Sequence, residues 1–115
     1  MKVDIRFRGL EASDFLRDHA LRRAQFHMSR FGTEVSSVVV RIADINGPKG
    51  GIDKRCQVTV KGPLFGSTNL DEESADAYAV VDGALERVSR VVGKAIERAR
   101  SAARDVKPAA AEEES

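Results

Sequence analysis

The stretch "VSSVVVRIADINGPKGGIDKRCQVTVK" (residues 35–61) decides the fold, because it holds two strand signals separated by turn residues. Its first part is rich in β-branched valines, which favour strands. In its last part Cys56, Val58 and Val60 alternate with polar residues, as in a half-buried strand. Five of the six residues between them (46–51) are glycine, proline or asparagine, the types that form turns. We therefore expect a hairpin with a loop of about ten residues.

The residues of this loop exclude a phosphate-binding Walker loop and leave two other interpretations. A Walker loop ends in Gly-Lys-Ser/Thr and leads into a helix, whereas Lys54 follows Asp53 and begins a strand signal. The loop is longer than a hairpin needs, and it carries Lys49, Lys54 and Arg55. Long loops on rigid scaffolds are often binding loops, so a plain turn and a mobile basic finger both stay open.

The flanking segments complete an order β-α-β-β-β-α. "KVDIRFR" (2–8) alternates like a half-buried strand, and "STNLDE" (67–72) is a weaker strand candidate after the turn "GPLFG" (62–66). A helix should run from Ser13 to about residue 30 or 31 and stop at Gly32. A second helix should cover about residues 74–104. We predict an α+β fold in which two helices pack on one face of a four-stranded, mostly antiparallel sheet.

The helices have apolar stripes that predict which side chains are buried. The first stripe contains Leu16, Ala20, Ala24, His27 and Phe31. The second contains Tyr78, Val81, Leu85, Val88, Val92, Ile96 and Ala99.

The net charge of +1 conceals an uneven distribution. Residues 1–104, the predicted domain, carry 18 basic and 14 acidic side chains, while 105–115 form an acidic Ala/Glu tail that we expect to be disordered. The chain has one cysteine, no long apolar run and no stretch like a signal peptide, so we expect a cytoplasmic protein with no membrane association.

The residue types do not form a recognisable catalytic or metal site. His19 and His27 are eight residues apart on one helix, and we interpret them as surface and core-edge residues. Cys56 lies on the inward side of its strand and is predicted to be a buried apolar residue rather than a nucleophile. The acidic cluster at 71–76 has an ordinary explanation as helix N-terminal acidity. An enzyme, a cofactor and a small-molecule substrate are therefore not expected.

The second helix carries a row of cations opposite its apolar stripe. Like charges three or four residues apart destabilise a helix by a few tenths of a kcal/mol per pair, and acids lie only at the edge of the row. Such a row favours a polyanionic partner, although a merely solvated face remains the alternative. The row consists of Arg87, Arg90, Lys94 and Arg98.

The first helix adds Arg22, Arg23 and Arg30, with Phe15 and Phe26 beside them. These aromatic side chains could stack on bases, but widening the core against the second helix is the favoured interpretation. Cations on two helices and a loop suit recognition of folded RNA.

Three segments resemble the bacterial ribosome hibernation factors, the family of hibernation promoting factor and the ribosome-associated translation inhibitor. They are "RGLEASDFLRDHALRRAQFHMSRFG", "DINGPKGGIDKRC" and "ADAYAVVDGALERVSRVVGKAIER". The resemblance covers roughly residues 2–100. Its most specific part is the D-x-Y-A-x-x-D pattern of residues 76–82, followed by the basic row.

The resemblance implies a non-catalytic domain similar to double-stranded-RNA-binding folds. It also implies binding to the small subunit of the ribosome, at the rRNA of the mRNA and tRNA channel, which keeps idle ribosomes inactive. The RNA-binding positions implied in this chain are Arg22, Arg23, Lys54, Arg55, Arg87, Arg90, Lys94 and Arg98.

Two departures from the family pattern limit the prediction. Long-form members have an additional domain that pairs ribosomes, so this chain is expected to dimerise ribosomes only with a separate partner factor. The loop 46–52 is longer than in the best-studied short members. A protein-interaction regulator, as in the family's older description as sigma-factor modulators, is the alternative function.

Overall fold

The computed structural model describes residues 1–11, 13–45 and 52–113, with side chains described as far as Arg104. Its elements follow the predicted order β-α-β-β-β-α, and the α+β class is confirmed. The elements are β1 (Lys2–Arg8), α1 (Asp14–Met28), a short 3₁₀ helix (Ser29–Glu34), β2 (Ser37–Asp44), β3 (Lys54–Gly62), β4 (Gly66–Ser74) and α2 (Ala77–Glu113).

The four strands form one sheet in the order β1-β2-β3-β4. β1 pairs with β2 in parallel, and the other two pairs are antiparallel, so the mostly antiparallel sheet is confirmed. The hairpin predicted from residues 35–61 is also confirmed, because Asp44 lies opposite Lys54 and the Ile45 N–H donates to the Asp53 carbonyl at 2.8 Å. The predicted basic finger lies at 46–51, outside the described residues.

The strand candidate at 67–72 is confirmed as β4, which is longer than predicted and runs from Gly66 to Ser74. The turn before it is tight, since Gly62 lies opposite Gly66, and Gly66 has a φ of +80° that favours glycine. A Cβ at Gly62 would collide with the carbonyl oxygen of Glu34. The turn is therefore fixed both by backbone conformation and by close packing against the 3₁₀ helix.

α1 begins as predicted, with the Ser13 hydroxyl accepting the Leu16 N–H at 3.2 Å. It ends at Met28, and the 3₁₀ helix carries the chain to Gly32, whose φ is +58°. Met28 is fully buried and His27 is half-buried, so the predicted stripe is wrong at this point. The buried residues of α1 are spaced by four, at Leu16, Ala20, Ala24 and Met28, so Met28 rather than His27 faces the core.

α2 begins three residues later than predicted, because β4 extends to Ser74. The Asp76 carboxylate caps it by accepting the N–H groups of Tyr78 and Ala79 at 2.8 and 3.2 Å. Val81 and the later stripe residues up to Ile96 are buried, but Tyr78 is exposed and Val80 is buried instead. α2 packs on β3, β4 and α1 together, so its buried face is wider than one stripe.

Both helices cover the same face of the sheet, where they enclose the valine-rich sides of β2 and β3. The helices run in the same direction, because His19 contacts Asp82 near their starts and Arg30 contacts Ser89 further along. α2 ends at Glu113, beyond the helix end predicted near residue 104. The disorder predicted for 105–115 stays a prediction. Among the described residues no helix is both long and apolar enough to cross a membrane.

Candidate nucleic-acid interface

The basic row of α2 (Arg87, Arg90, Lys94 and Arg98) is exposed along its whole length. It lies opposite the buried residues Leu85, Val88 and Val92, which face the sheet. The row therefore points away from the domain, as the spacing of its residues predicted.

Two members of the row have acidic partners within the domain. Arg87 donates to the Glu72 carboxylate of β4, and Arg90 donates to Glu86 one helical turn earlier. The pair with Glu86 follows from i,i+4 spacing. The pair with Glu72 was not predicted, since it depends on where β4 meets α2. Such exposed ion pairs contribute little to stability, roughly 0–1 kcal/mol.

The other two members, Lys94 and Arg98, make no hydrogen bond or ion pair with another residue of the described ranges. Their charges are exposed to solvent one turn apart on α2. Positive charge without an internal acidic partner is thus concentrated at the C-terminal half of the row. This is the part of α2 best suited to an external anion.

The exposed side of α1 carries Arg22 between two phenylalanines. Phe15 is 81% exposed and Phe26 is 68% exposed, so the prediction that they widen the core is wrong. Seven and four residues separate them from Arg22, so all three lie on one helix face, opposite Leu16 and Ala20. Arg22 makes no polar contact with another described residue. An arginine between two exposed aromatic rings is a surface suited to nucleotides.

Arg23 instead lies at the contact between the two helices. Its Nε is 3.4 Å from an Asp82 carboxylate oxygen, and an Nη approaches the Nε2 of His27 at 3.2 Å. The same Asp82 oxygen is 2.7 Å from the Nε2 of His19. His19 is therefore an interhelical residue rather than the surface residue that was predicted. Burial, followed by the charge of Arg23, lowers the pKa of His27.

Lys54 and Arg55 begin β3, and the structure does not bring them to the basic row. Lys54 lies opposite Ser74, near the first turn of α2. Because a helix rises about 1.5 Å per residue, Arg87 is roughly 15 Å further along. Arg55 points to the sheet face that the helices leave uncovered, as its strand alternates with Cys56.

Both residues at the start of β3 are held by acids. The Lys54 ammonium is 3.0 Å from Asp53 and 3.7 Å from Asp44, and its hydrogen bond to Asp53 raises its pKa. Arg55 donates to Asp71 at 2.8 Å, which raises the pKa of its guanidinium. An external anion would therefore have to compete with existing partners at these two positions.

The acidic cluster at 71–76 and Cys56 do not form a functional site. Residues 71–73 lie on β4 rather than at a helix terminus, and only Asp76 has the predicted capping role. Cys56 is fully buried, as predicted, and burial raises the pKa of its thiol to about 12. Within the described ranges no group of three or more His, Cys, Asp or Glu could hold a metal ion.

The comparisons with known proteins show the family of the chain. A family model described as "Sigma 54 modulation protein / S30EA ribosomal protein" matches residues 3–100. The chain belongs to this family. The resemblance to the ribosome hibernation factors is thereby confirmed. A search of curated protein sequences gives no match.

Two solved structures have the same fold. The N-terminal domain of Protein Y from Thermus thermophilus superposes with a TM-score of 0.67 at 25% identity, over 82% of this chain and 98% of that one. A ribosomal subunit interface protein from Coxiella burnetii also has a TM-score of 0.67, at 21% identity over 82% of this chain and 96% of its own.

Proposed function

We propose that this protein binds the rRNA of the small ribosomal subunit in the mRNA and tRNA channel, and that it keeps idle ribosomes inactive. Membership of the S30EA family supports an association with ribosomes. The Coxiella burnetii protein of the same fold is described as a ribosomal subunit interface protein. The protein would act in the cytoplasm, on free small subunits and on whole ribosomes.

The observation that carries the proposal is the set of exposed cations without internal partners on the helices. Lys94, Arg98 and Arg22 make no polar contact with other described residues, and they extend from helix faces that point away from the core. Arg90 adds a flexible contact, because its bond to Glu86 is an exposed pair on a single helix. Phosphates neutralised by these side chains would release counterions, which favours binding at low salt.

Phe15 and Phe26 add a second kind of contact. Phenylalanines that are mostly exposed contribute little to the core, but they can stack on unpaired bases, which contributes about 1–3 kcal/mol per base. Arg22 lies between them and can contact the connecting phosphate. The α1 surface would therefore bind a single-stranded or looped rRNA segment rather than a regular duplex.

The mechanism we propose is occlusion, which requires no chemical step. The helix surfaces bind rRNA, the sheet supports the helices from behind, and the volume of the domain excludes mRNA and tRNA. We assign the main contacts to Arg22, Arg90, Lys94 and Arg98. The remaining predicted positions, Arg23, Lys54, Arg55 and Arg87, contribute less because each is held by an acidic residue of another helix or strand, whereas Glu86 lies on the same helix as Arg90.

The alternative is a protein-interaction regulator that acts without rRNA, as the words "Sigma 54 modulation" in the family description suggest. The exposed Phe15 and Phe26 would also suit a protein surface. If the partner is a protein, we expect its binding to this chain to depend on these two phenylalanines and only weakly on salt concentration.

Sedimentation with purified ribosomal particles tests the proposal. The protein is mixed with small subunits, large subunits and whole ribosomes over a series of salt concentrations, with mRNA and tRNA added as competitors. We expect it to sediment with small subunits and whole ribosomes, to be displaced by the competitors and to dissociate as salt rises. Absence of binding even at low salt would contradict the proposal and favour a protein partner.

A further inference from the structure

The face of the sheet opposite the helices carries a second group of arginines. We call it the open sheet face, and it consists of the strand positions that alternate with the buried ones. Arg6 and Arg8 of β1 and Arg41 of β2 lie on it, and all three are exposed. Arg55 of β3 lies on the same face.

These arginines are brought together by the strand register. Arg6 lies directly opposite Arg41 in the parallel β1–β2 pair, and adjacent strands are only about 4.8 Å apart. Arg8 follows two residues later, on the same side. Like charges directly across a strand pair destabilise a sheet, so an external anion would relieve an unfavourable arrangement.

The acids nearby neutralise only part of this charge. Asp4 is hydrogen bonded to Arg6 at 2.8 Å, and Asp71 is bonded to Arg55 at 2.8 Å. Arg8 and Arg41 make no hydrogen bond or ion pair with another residue in the described parts of the chain. Two guanidinium groups on neighbouring strands are thus available to a ligand.

A cleft of about 580 Å³ lies between these side chains. Arg6, Arg8, Arg41 and Arg55 line it, together with Gly9, Gln57 and one acidic residue, Asp44, whose carboxylate is 3.7 Å from the Lys54 ammonium. Guanidinium groups bind phosphate oxygens with two parallel hydrogen bonds, and the cleft leaves space for a phosphodiester chain between them.

We infer that this cleft of the open sheet face is a second RNA-binding site, at which Arg8 and Arg41 hold backbone phosphates of an rRNA segment. This inference rests on the proposed function, from which it takes rRNA as the polyanion. The helix surface and the open sheet face are on opposite sides of the domain, so the protein would contact two RNA segments at once. A domain held between two RNA segments fills a channel more completely than one bound to a single wall.

Binding of fluorescently labelled protein to small subunits over a salt series tests this inference. The variant Arg8→Gln/Arg41→Gln removes the two free charges of the cleft. The control Lys2→Gln/Lys61→Gln removes two exposed charges at the other end of the strands, outside the cleft. We expect the arginine variant to bind at least tenfold more weakly, with a salt slope reduced by about 1.5. The lysine control should stay within twofold of wild type.

The outcomes separate this inference from the proposed function. Wild type and arginine variant binding equally well would overturn the second surface and leave the function standing. If wild type fails to bind, the proposed function is overturned. RNA binding at the open sheet face is then tested by NMR, in a titration of the arginine Nε–H signals with a short RNA hairpin. Shifts at Arg8 and Arg41 support the surface. Shifts caused only by an acidic peptide, or no shifts at all, overturn it.

Discussion

Arg87 of α2 and Glu72 of β4 form an ion pair that joins the last helix to the edge strand of the sheet. The pair neutralises the first cation of the basic row, whereas Lys94, two turns further along, has no such partner among the described residues. The row is therefore not uniform, and its members should differ in what they contribute to RNA binding and to the stability of the fold.

Variants that each remove one charge of the basic row should separate RNA binding from stability of the fold. We expect Lys94→Gln to weaken binding to small subunits about fivefold, because it removes a free phosphate contact. Arg87→Gln should weaken binding less than twofold and change the free energy of unfolding by less than about 1 kcal/mol, since the pair with Glu72 is exposed. Equilibrium titration and urea unfolding measure the two effects. A larger binding loss for Arg87→Gln would contradict the assignment.

The two exposed phenylalanines should matter for binding and not for folding. Phe15→Ser/Phe26→Ser should leave the melting temperature within about 2 °C of wild type, because neither ring is buried in the core. Its binding to small subunits should weaken roughly tenfold or more, from the loss of base stacking. Leu64→Ser, which removes an exposed apolar side chain of the β3–β4 turn, is the matched control. Equal binding by all three proteins would exclude stacking on α1.

Cys56 should be chemically silent in the folded protein. Its side chain is fully buried, and burial raises its thiol pKa to about 12, so almost no thiolate is accessible at pH 8. A chromogenic disulfide reagent should give no reaction over minutes in buffer and one thiol per chain in guanidinium chloride. Rapid reaction of the native protein would show that the sheet opens near Cys56.

The stability of the domain should fall on mild acidification because of His27. Its folded-state pKa lies below the ordinary value of 6.5, so the unfolded chain binds more protons and stability decreases as the pH falls below about 6.5. The charged groups around it are Arg23 on α1, Arg30 on the 3₁₀ helix, and Glu86 and Asp82 on α2.

Urea unfolding at pH 7.5 and pH 5.5 measures this dependence. His27→Gln removes the titrating group, so its loss of stability between the two values should be smaller than that of wild type. The pH-dependent contributions of the rest of the chain are common to both proteins and cancel in the comparison. An identical loss in both would show that His27 is not responsible.

Features that depend on local periodicity were predictable from the sequence. Alternation defined β1 and β3, β-branched residues defined β2, and Ser13 capped α1 as expected. The positions of the basic row followed from helical spacing alone, since four residues opposite Leu85 had to point outward.

Features that depend on how the elements meet were not predictable in this way. The Glu72 partner of Arg87 lies on a strand whose register is set by the β3–β4 turn. Phe15 and Phe26 are exposed because α2 packs beside His19 and Arg23 rather than above the phenylalanines. The arginines of the open sheet face are separated by about 35 residues and meet only through parallel pairing of β1 with β2.

The most direct test of the central claim is the binding of Lys94→Glu/Arg98→Glu to isolated small subunits at low salt. Lys2→Glu/Lys61→Glu is the control with the same change in net charge. We expect at least a 30-fold weaker affinity for the α2 variant, an unchanged melting temperature and near-normal binding by the control. Binding of the α2 variant as tight as that of wild type would contradict the proposal that these cations hold the protein on rRNA.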